Sequence, residues 1–392
     1  MEPNGGKAEI LFMFKIVAYS ILKNEQNNIV PWVESLVKSV DQIVLLDTGS
    51  EDDSVSLIEE MQNKYPGKIE LHTALIDPFD FSIARNMVME QAQKHCDFYD
   101  LLMWLDLDER IDPDWYQKLV KLVVDNGIDL KRYLVLQTKM IFAENNGVEL
   151  MTYSQSKIHT ARGFRWKYAC HEILVSLEDE PDYIYSGISV RHLKDNSKPR
   201  DYLPLLAKQH VENPADLRTL YYLAREHSYK GNWQTTYSIL QDIEKCEGTK
   251  AQRVDAYLLQ ADACSKLEVD PRASLYRALA IEPTCVEAAY TFAQHYYEKQ
   301  DTQSCFYWAT HGIELLSDIE NTQQNVIYNK QGYLEWKLYD LAAYSLNIFG
   351  DYRQAFTIYG QLLSEKEAYI PEQDKLRIGN NLMWLQTKLE KA

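Results

Sequence analysis

The chain has 392 residues, 46% of them hydrophobic, which is more than one compact core needs and points to two or three domains. A net charge of −17 argues against partners recognised through a polyanionic backbone or an anionic membrane surface, although a local basic patch is compatible with it. The six cysteines form no Cys-x-x-Cys pair and read as reduced thiols of a cytoplasmic protein rather than as zinc ligands or disulfides. No apolar run reaches the roughly 18–20 residues of a membrane span, and no basic stretch followed by an apolar one marks a signal segment.

Residues 1–12 read as an extension before the first strand. Phe14 to Leu22 is β-rich, Lys23 to Asn28 is a polar loop, and Ile29 to Val40 has helical spacing of apolar residues. Asp41 to Asp47 is a second strand ending in a carboxylate, followed by a polar turn and a helix from about Ser54. Ile69 to His72 gives a third strand and Phe81 to Lys94 a helix. The fourth strand, Leu101 to Leu105, stops at three carboxylates: Asp106, Asp108 and Glu109. Alternating strands and helices imply a mostly parallel sheet with helices on both faces and ligands at the carboxyl ends of its strands. Extended geometry through Leu107 would point Asp106 and Asp108 to one side, a mount for Mg²⁺ or Mn²⁺; the alternative is a solvated acidic turn.

Four segments in order decide how this is read. They are Lys23-Asn24-Glu25, then Asp47-Thr48-Gly49-Ser50-Glu51-Asp52-Asp53-Ser54, then Phe81-Ser82-Ile83-Ala84-Arg85-Asn86, then Asp106-Leu107-Asp108-Glu109. Their order and wording resemble the family-2 glycosyltransferases of GT-A fold, in the bacterial or phage type with a C-terminal tetratricopeptide-like array. The fold class expected is therefore an α/β GT-A domain, a Rossmann-like nucleotide-diphospho-sugar transferase sheet, followed by an all-α helical domain. The resemblance implies an enzyme with Mn²⁺ or Mg²⁺ as cofactor and two substrates. The donor is a nucleotide sugar, UDP-sugar favoured, and the acceptor a saccharide, peptide or other macromolecule.

Loss of a nucleoside diphosphate puts negative charge on a phosphate oxygen, which a bound metal stabilises as a Lewis acid. Asp106 and Asp108 are the metal candidates, with Asp106 equally suited to a ribose hydroxyl. Asp47 is suited to the base or ribose, or else to a turn or helix cap. Arg85, beside Asn86, offers a guanidinium fork for the diphosphate, or a structural ion pair. Glu25 serves the nucleotide or is a solvated loop residue. The segment from Lys157 to Glu172 resembles the family's return to the acceptor side, which makes Glu172 or His171 the base that takes the acceptor proton. A structural histidine is the alternative for His171. The resemblance also lets His192, closing the strand Val190-Arg191-His192, complete the metal site.

Pro199, Pro204 and Pro214 punctuate a boundary. The expected layout is 13–198 for the transferase domain, 199–214 for a linker or connecting helix, and 215–392 for the helical domain. Leu220 to Trp233, Leu275 to Tyr297 and Leu341 to Ala355 resemble tetratricopeptide hairpins, whose array would bind the acceptor or a second copy as a homodimer. Their aromatic stripe reads as packing before it reads as a groove. The rival readings are a helical scaffold with an inactive transferase domain, and a nucleotidyltransferase, for which the first strand lacks a Gly-rich phosphate loop.

Overall fold

The computed structural model describes residues 14–145, 147–193, 201–317 and 330–391. The residues fall into two compact units, one running to Ile141 and resuming over Ser154–Leu205, the other comprising Phe142–Tyr153 and everything from Leu206.

The first unit is an α/β domain. In chain order it holds β1 (Ile16–Leu22), α1 (Gln26–Leu36), β2 (Gln42–Asp47), α2 (Ser54–Lys64), β3 (Ile69–Thr73), α3 (Phe81–Ala92), β4 (Leu101–Trp104), β5 (Glu109–Ile111) and α4 (Trp115–Asp125). β6 (Leu134–Asn145), β7 (Val148–Thr160), β8 (Phe164–Lys167), β9 (Ile173–Ser176) and β10 (Asp182–His192) are the remaining strands, the Phe142–Tyr153 tip of β6 and β7 belonging to the second unit. The main sheet runs β3-β2-β1-β4-β7-β6-β10-β5, and β8-β9 form a separate pair. From β3 to β4 all neighbours are parallel, and β6 is parallel to β10, whereas β7 runs against β4 and β5 against β10. β1 is buried on both faces, Ile16 to Tyr19 being at most 1% exposed, which is why it reads as a continuous apolar run. On one face Val17, Tyr19, Val44, Leu46, Leu102 and Trp104 pack with Ala84, Val88, Met89 and Ala92 of α3.

α1 starts at Gln26, three residues before the apolar periodicity begins, and ends at Leu36 rather than Val40. The reason is non-local capping. The β2–α2 loop supplies acceptors for its first amides: Ser54 Oγ for Glu25 N at 2.7 Å and Asp52 Oδ2 for Gln26 N at 3.2 Å. In return Asn24 Oδ1 accepts from Glu51 N at 2.8 Å. Asn24 itself is left-handed, with φ of 56°, a conformation asparagine tolerates. The two polar loops read separately in the sequence thus form one interlocked rim.

β6 is long, running from Leu134 to Asn145, and the chain returns as β7. Between them, the sequence Asn145-Asn146-Gly147 carries turn-forming residues, of which Asn146 lies outside the described residues. The hairpin's far end packs with the helices, where Asn145 Nδ2 donates to Ala368 O at 3.0 Å. There the Glu149 carbonyl approaches Gly332 so closely that a Cβ would stand 2.2 Å from it. Domain limits drawn as single cuts along the chain cannot represent this excursion.

The connecting helix α5 spans Leu203–Glu212. Beyond it lie α6 (Leu217–Tyr229), α7 (Trp233–Ile239), α8 (Lys250–Lys266), α9 (Arg272–Ile281), α10 (Val286–Glu298), α11 (Thr302–Ser317), α12 (Gln331–Phe349), α13 (Tyr352–Glu365) and α14 (Glu372–Leu389). From α6 to α14 each helix packs on a chain neighbour, as stacked helix pairs do. α12 stops where Gly350 adopts φ of 83°, and Asp351 restarts the chain by accepting from Gln354 N. Within the aromatic stripe Phe292, 0% exposed, stacks on Trp308 with centroids 4.1 Å apart, while Tyr229, Tyr276 and Tyr297 are exposed. All six cysteines are buried thiols, joined in no disulfide.

Candidate active site

Parallel register sets the site. Leu22 pairs with Asp47 and Tyr19 with Trp104, so Asp47, and Asp106 two residues past Trp104, leave the sheet at the same carboxyl edge.

Asp47 is buried, and its carboxylate shapes its own loop. Oδ1 accepts from Ser50 Oγ at 2.5 Å and from Ser50 N at 3.1 Å, while Oδ2 accepts from Gly49 N at 3.2 Å. Gly49 has φ of 102°, and a Cβ there would meet Leu75 Cδ2 at 2.8 Å. Glu25 lies across this rim; its Oε2 accepts from Asn28 Nδ2 at 2.8 Å.

Asp106 is held from farther away. Its side chain keeps 36% exposure, and Oδ1 accepts from Arg85 Nη2 at 2.8 Å. Burial pushes the Asp106 pKa up, but Arg85, Lys157 and His192 outweigh it and hold the carboxyl below its ordinary range. Beneath it, Glu109 Oε2 accepts from Asp106 N at 2.9 Å, and both Glu109 oxygens accept from Lys157 Nζ, at 2.7 and 2.6 Å. Glu109, the third carboxylate of the run, is therefore buried in an ion pair rather than turned to the cleft. Burial raises its pKa to about 7 against the pull of Lys157, and burial lowers that of Lys157. Lys157 Nζ lies 3.4 Å from the Trp104 ring centroid, and the Arg85 guanidinium 4.6 Å from the same centroid.

Asp108 meets His192 across the antiparallel β5–β10 ladder. His192 is in register with Glu109, Leu193 N donates to Asp108 O at 2.6 Å, and His192 Nε2 stands 3.3 Å from Asp108 Oδ2. Both side chains retain 13–14% exposure. Among the described residues no three of His, Cys, Asp and Glu converge on one metal position. The pair does have a suitable spacing: two donors at right angles, each about 2.1 Å from an ion, lie about 3.0 Å apart.

Glu172 follows β8 and binds Arg85 Nε through Oε1. His171 before it is left-handed, with φ of 52°, and its ring packs edge-on to Tyr202 at 5.5 Å. Arg85 is 3% exposed, with Nε and Nη2 on the two carboxylates. Asn86 does not face the cleft with a free amide, since Oδ1 accepts from Trp166 N at 2.9 Å and Nδ2 donates to Trp166 O at 3.0 Å. It ties β8 to α3.

The structure thus gathers Asp106, Arg85 and Glu172, pairs Asp108 with His192, and puts Glu25 and Asp47 on the adjoining rim. Sequence reading did not single out Lys157, Trp104, Trp166, Tyr19 or His159. Trp166 Nε1 donates to Tyr19 Oη at 3.2 Å, and Tyr19 Oη lies 3.1 Å from His159 Nε2, a buried chain under the site. Burial lowers the His159 pKa to about 4. The available signal was Lys157 and His159 alternating with Ile158 in a strand, where a charged side chain on a buried face demands a partner.

The family model described as Glycosyl transferase family 2 matches residues 20–171, covering Glu25, Asp47, Arg85, Asn86, Asp106, Asp108 and His171 and stopping one residue short of Glu172. This chain carries a family-2 glycosyltransferase domain. The match supports glycosyl transfer by this domain, whose mostly parallel sheet is followed in the chain by a helical region. No curated protein sequence matches the chain. Among solved structures, a crystal structure of MamA is 16% identical and covers 42% of this chain and 86% of its own, with a TM-score of 0.34. TTC0263, a thermophilic TPR protein of Thermus thermophilus, is also 16% identical, with 46% and 89% covered and a TM-score of 0.33. No helix among the described residues is long and apolar enough to cross a membrane.

Proposed function

We propose that the first unit transfers a sugar from a nucleoside-diphosphate sugar, UDP-sugar favoured, to a nucleophile on a saccharide, peptide or other macromolecule. The observation that carries this reading is the Asp108–His192 pair, 3.3 Å apart beside Asp106 at the sheet's carboxyl edge. In it Asp108 and His192 would hold Mn²⁺ or Mg²⁺ together with the donor's diphosphate, with the exposed side of Asp106 adjacent. When bound, the ion supplies Lewis-acid stabilisation of the departing diphosphate. Asp106 accepts a hydrogen bond from a ribose hydroxyl. Asp47 and Glu25, on the rim built by the two interlocked loops, address the rest of the nucleoside.

Glu172 takes the acceptor's proton as the new glycosidic bond forms, and His171 orients the acceptor. The helical unit contains none of these residues and is assigned acceptor recognition. A thermal-shift panel of UDP-, GDP- and dTDP-sugars, with Mn²⁺ or with EDTA, tests the donor and metal assignment. One nucleotide should stabilise the protein in a Mn²⁺-dependent way that Asp108→Ala abolishes. Equal stabilisation in EDTA would overturn the metal assignment, and no stabilisation by any nucleotide would overturn the donor.

A further inference from the structure

Arg85 is the buried charge on which the two sides of the site meet. It rises from α3 with its guanidinium 4.6 Å from the Trp104 centroid and 5.1 Å from that of Trp166. Nη2 donates to Asp106 at 2.8 Å, Nε donates to Glu172, and Nη1 makes no hydrogen bond among the described residues. Nε and Nη2 form the edge of the guanidinium that ordinarily grips a single carboxylate with two bonds. Here each nitrogen takes a different carboxylate, one ending β4 and one following β8. Two carboxylates beside one edge repel each other, and they stay together only while the cation lies against both. The planar fork fixes their separation as well as neutralising them, which the single point charge of a lysine does not do. The two tryptophan rings and the Asn86–Trp166 bonds keep the fork from turning.

We propose that Arg85 is a positioning residue that sets the Glu172 carboxylate at a fixed place relative to Asp106, so that the proton acceptor is registered against the donor. The inference rests on the reading of Glu172 as the base. It gives Arg85 no contact with the diphosphate.

The test is a double-mutant cycle in the full chain, using Arg85→Lys, Glu172→Gln and the pair. Affinity is measured by titrating the nucleoside diphosphate of the best-stabilising donor with Mn²⁺. Turnover is measured as release of that diphosphate from its sugar. Glutamine can still accept from Arg85 Nε but cannot take a proton. Arg85→Lys should lower turnover about 100-fold, the loss a misplacement of about 1 Å brings, and leave affinity within about threefold. The pair should be no worse than Glu172→Gln alone.

Losses that multiply in the pair would overturn the proposal, because Arg85 would then act independently of Glu172. A tenfold or greater loss of affinity with turnover intact at saturation would overturn it in favour of a direct diphosphate contact. Wild-type turnover in Glu172→Gln would sink the base assignment, and the inference with it. Should Arg85→Lys fail to fold, Glu172→Asp replaces it, withdrawing the carboxylate by one methylene from an intact Arg85. A similar loss of turnover at unchanged affinity is expected, and full turnover overturns the proposal.

Discussion

The ends of β2 and β4 look alike in sequence, each an apolar strand closing on an aspartate, yet they are built in opposite ways. Every hydrogen-bond partner described for the Asp47 carboxylate lies within three residues of it, on Gly49 and Ser50. Asp106 is held by Arg85 from α3 and by Glu109, which is itself held by Lys157 from β7. A locally satisfied carboxylate forms wherever its turn forms. One whose partner comes from a distant element exists only after that element has docked on the sheet.

The sharpest way to separate the two ends is to remove the group each offers to ligand. Asp108→Ala should cut turnover more than about 100-fold and abolish Mn²⁺-dependent nucleotide binding, because a metal loses an anionic donor while the fold around Glu109 persists. Calorimetric titration of UDP with Mn²⁺ or EDTA checks this, and retained Mn²⁺ dependence would contradict it.

The buried network at β4 should be the more fragile in stability. Lys157→Met leaves Glu109 in the core without its cation, so that the carboxyl must be protonated or stay charged and unpaired, and should cost up to about 3–5 kcal/mol in urea denaturation at pH 8. The Lys157→Met/Glu109→Gln pair should recover part of the loss. The sign of the pH dependence follows from a folded Glu109 pKa of about 7, above its ordinary 4.5. A raised carboxyl pKa favours the folded state at low pH, an advantage lost as pH rises through about 7. Without Lys157 only the Asp106 amide is left to offset the burial, so the variant's deficit relative to wild type should shrink as pH falls from 8 to 5. A deficit independent of pH would show that Glu109 is not the group left unpaired.

At the β2 end the effects should be smaller and local. Asp47→Ala removes the acceptor for two loop amides and a hydroxyl, and should cost about 1–3 kcal/mol. It should weaken nucleoside-diphosphate binding more than it slows turnover at saturation, since a nucleoside contact is nearly the same in ground and transition states. Separate measurement of affinity and turnover decides this. Smallest of all is Ser50→Ala, which removes one bond to Asp47 and the acceptor for Asn24 N, and should cost about 1 kcal/mol. A loss in Ser50→Ala as large as in Lys157→Met would erase the contrast between the two ends.

What the sequence determined by itself is what short-range physics controls. Apolar runs bounded by polar turns placed strands at Phe14–Leu22, Asp41–Asp47, Ile69–His72 and Leu101–Leu105, close to the observed Ile16–Leu22, Gln42–Asp47, Ile69–Thr73 and Leu101–Trp104, and the β-α alternation implied their parallel arrangement. Asp47, Asp106 and Asp108 were legible as carboxylates at strand ends, and the hairpin-like segments of the second half as stacked helices. The start of α1 was not legible, because its capping acceptors sit on another loop. Nor was the length of the β6–β7 hairpin, whose far half is stabilised by helices more than 150 residues later, as the Asn145–Ala368 bond shows. The pairing of Asp108 with His192 depends on the β5–β10 register, and the enclosure of Arg85 depends on two tryptophans and two carboxylates drawn from separate elements. Charges buried in this way need partners from several strands at once. Only the assembled tertiary structure decides which residues those are, because a side chain's sequence neighbours do not fix what faces it across a sheet.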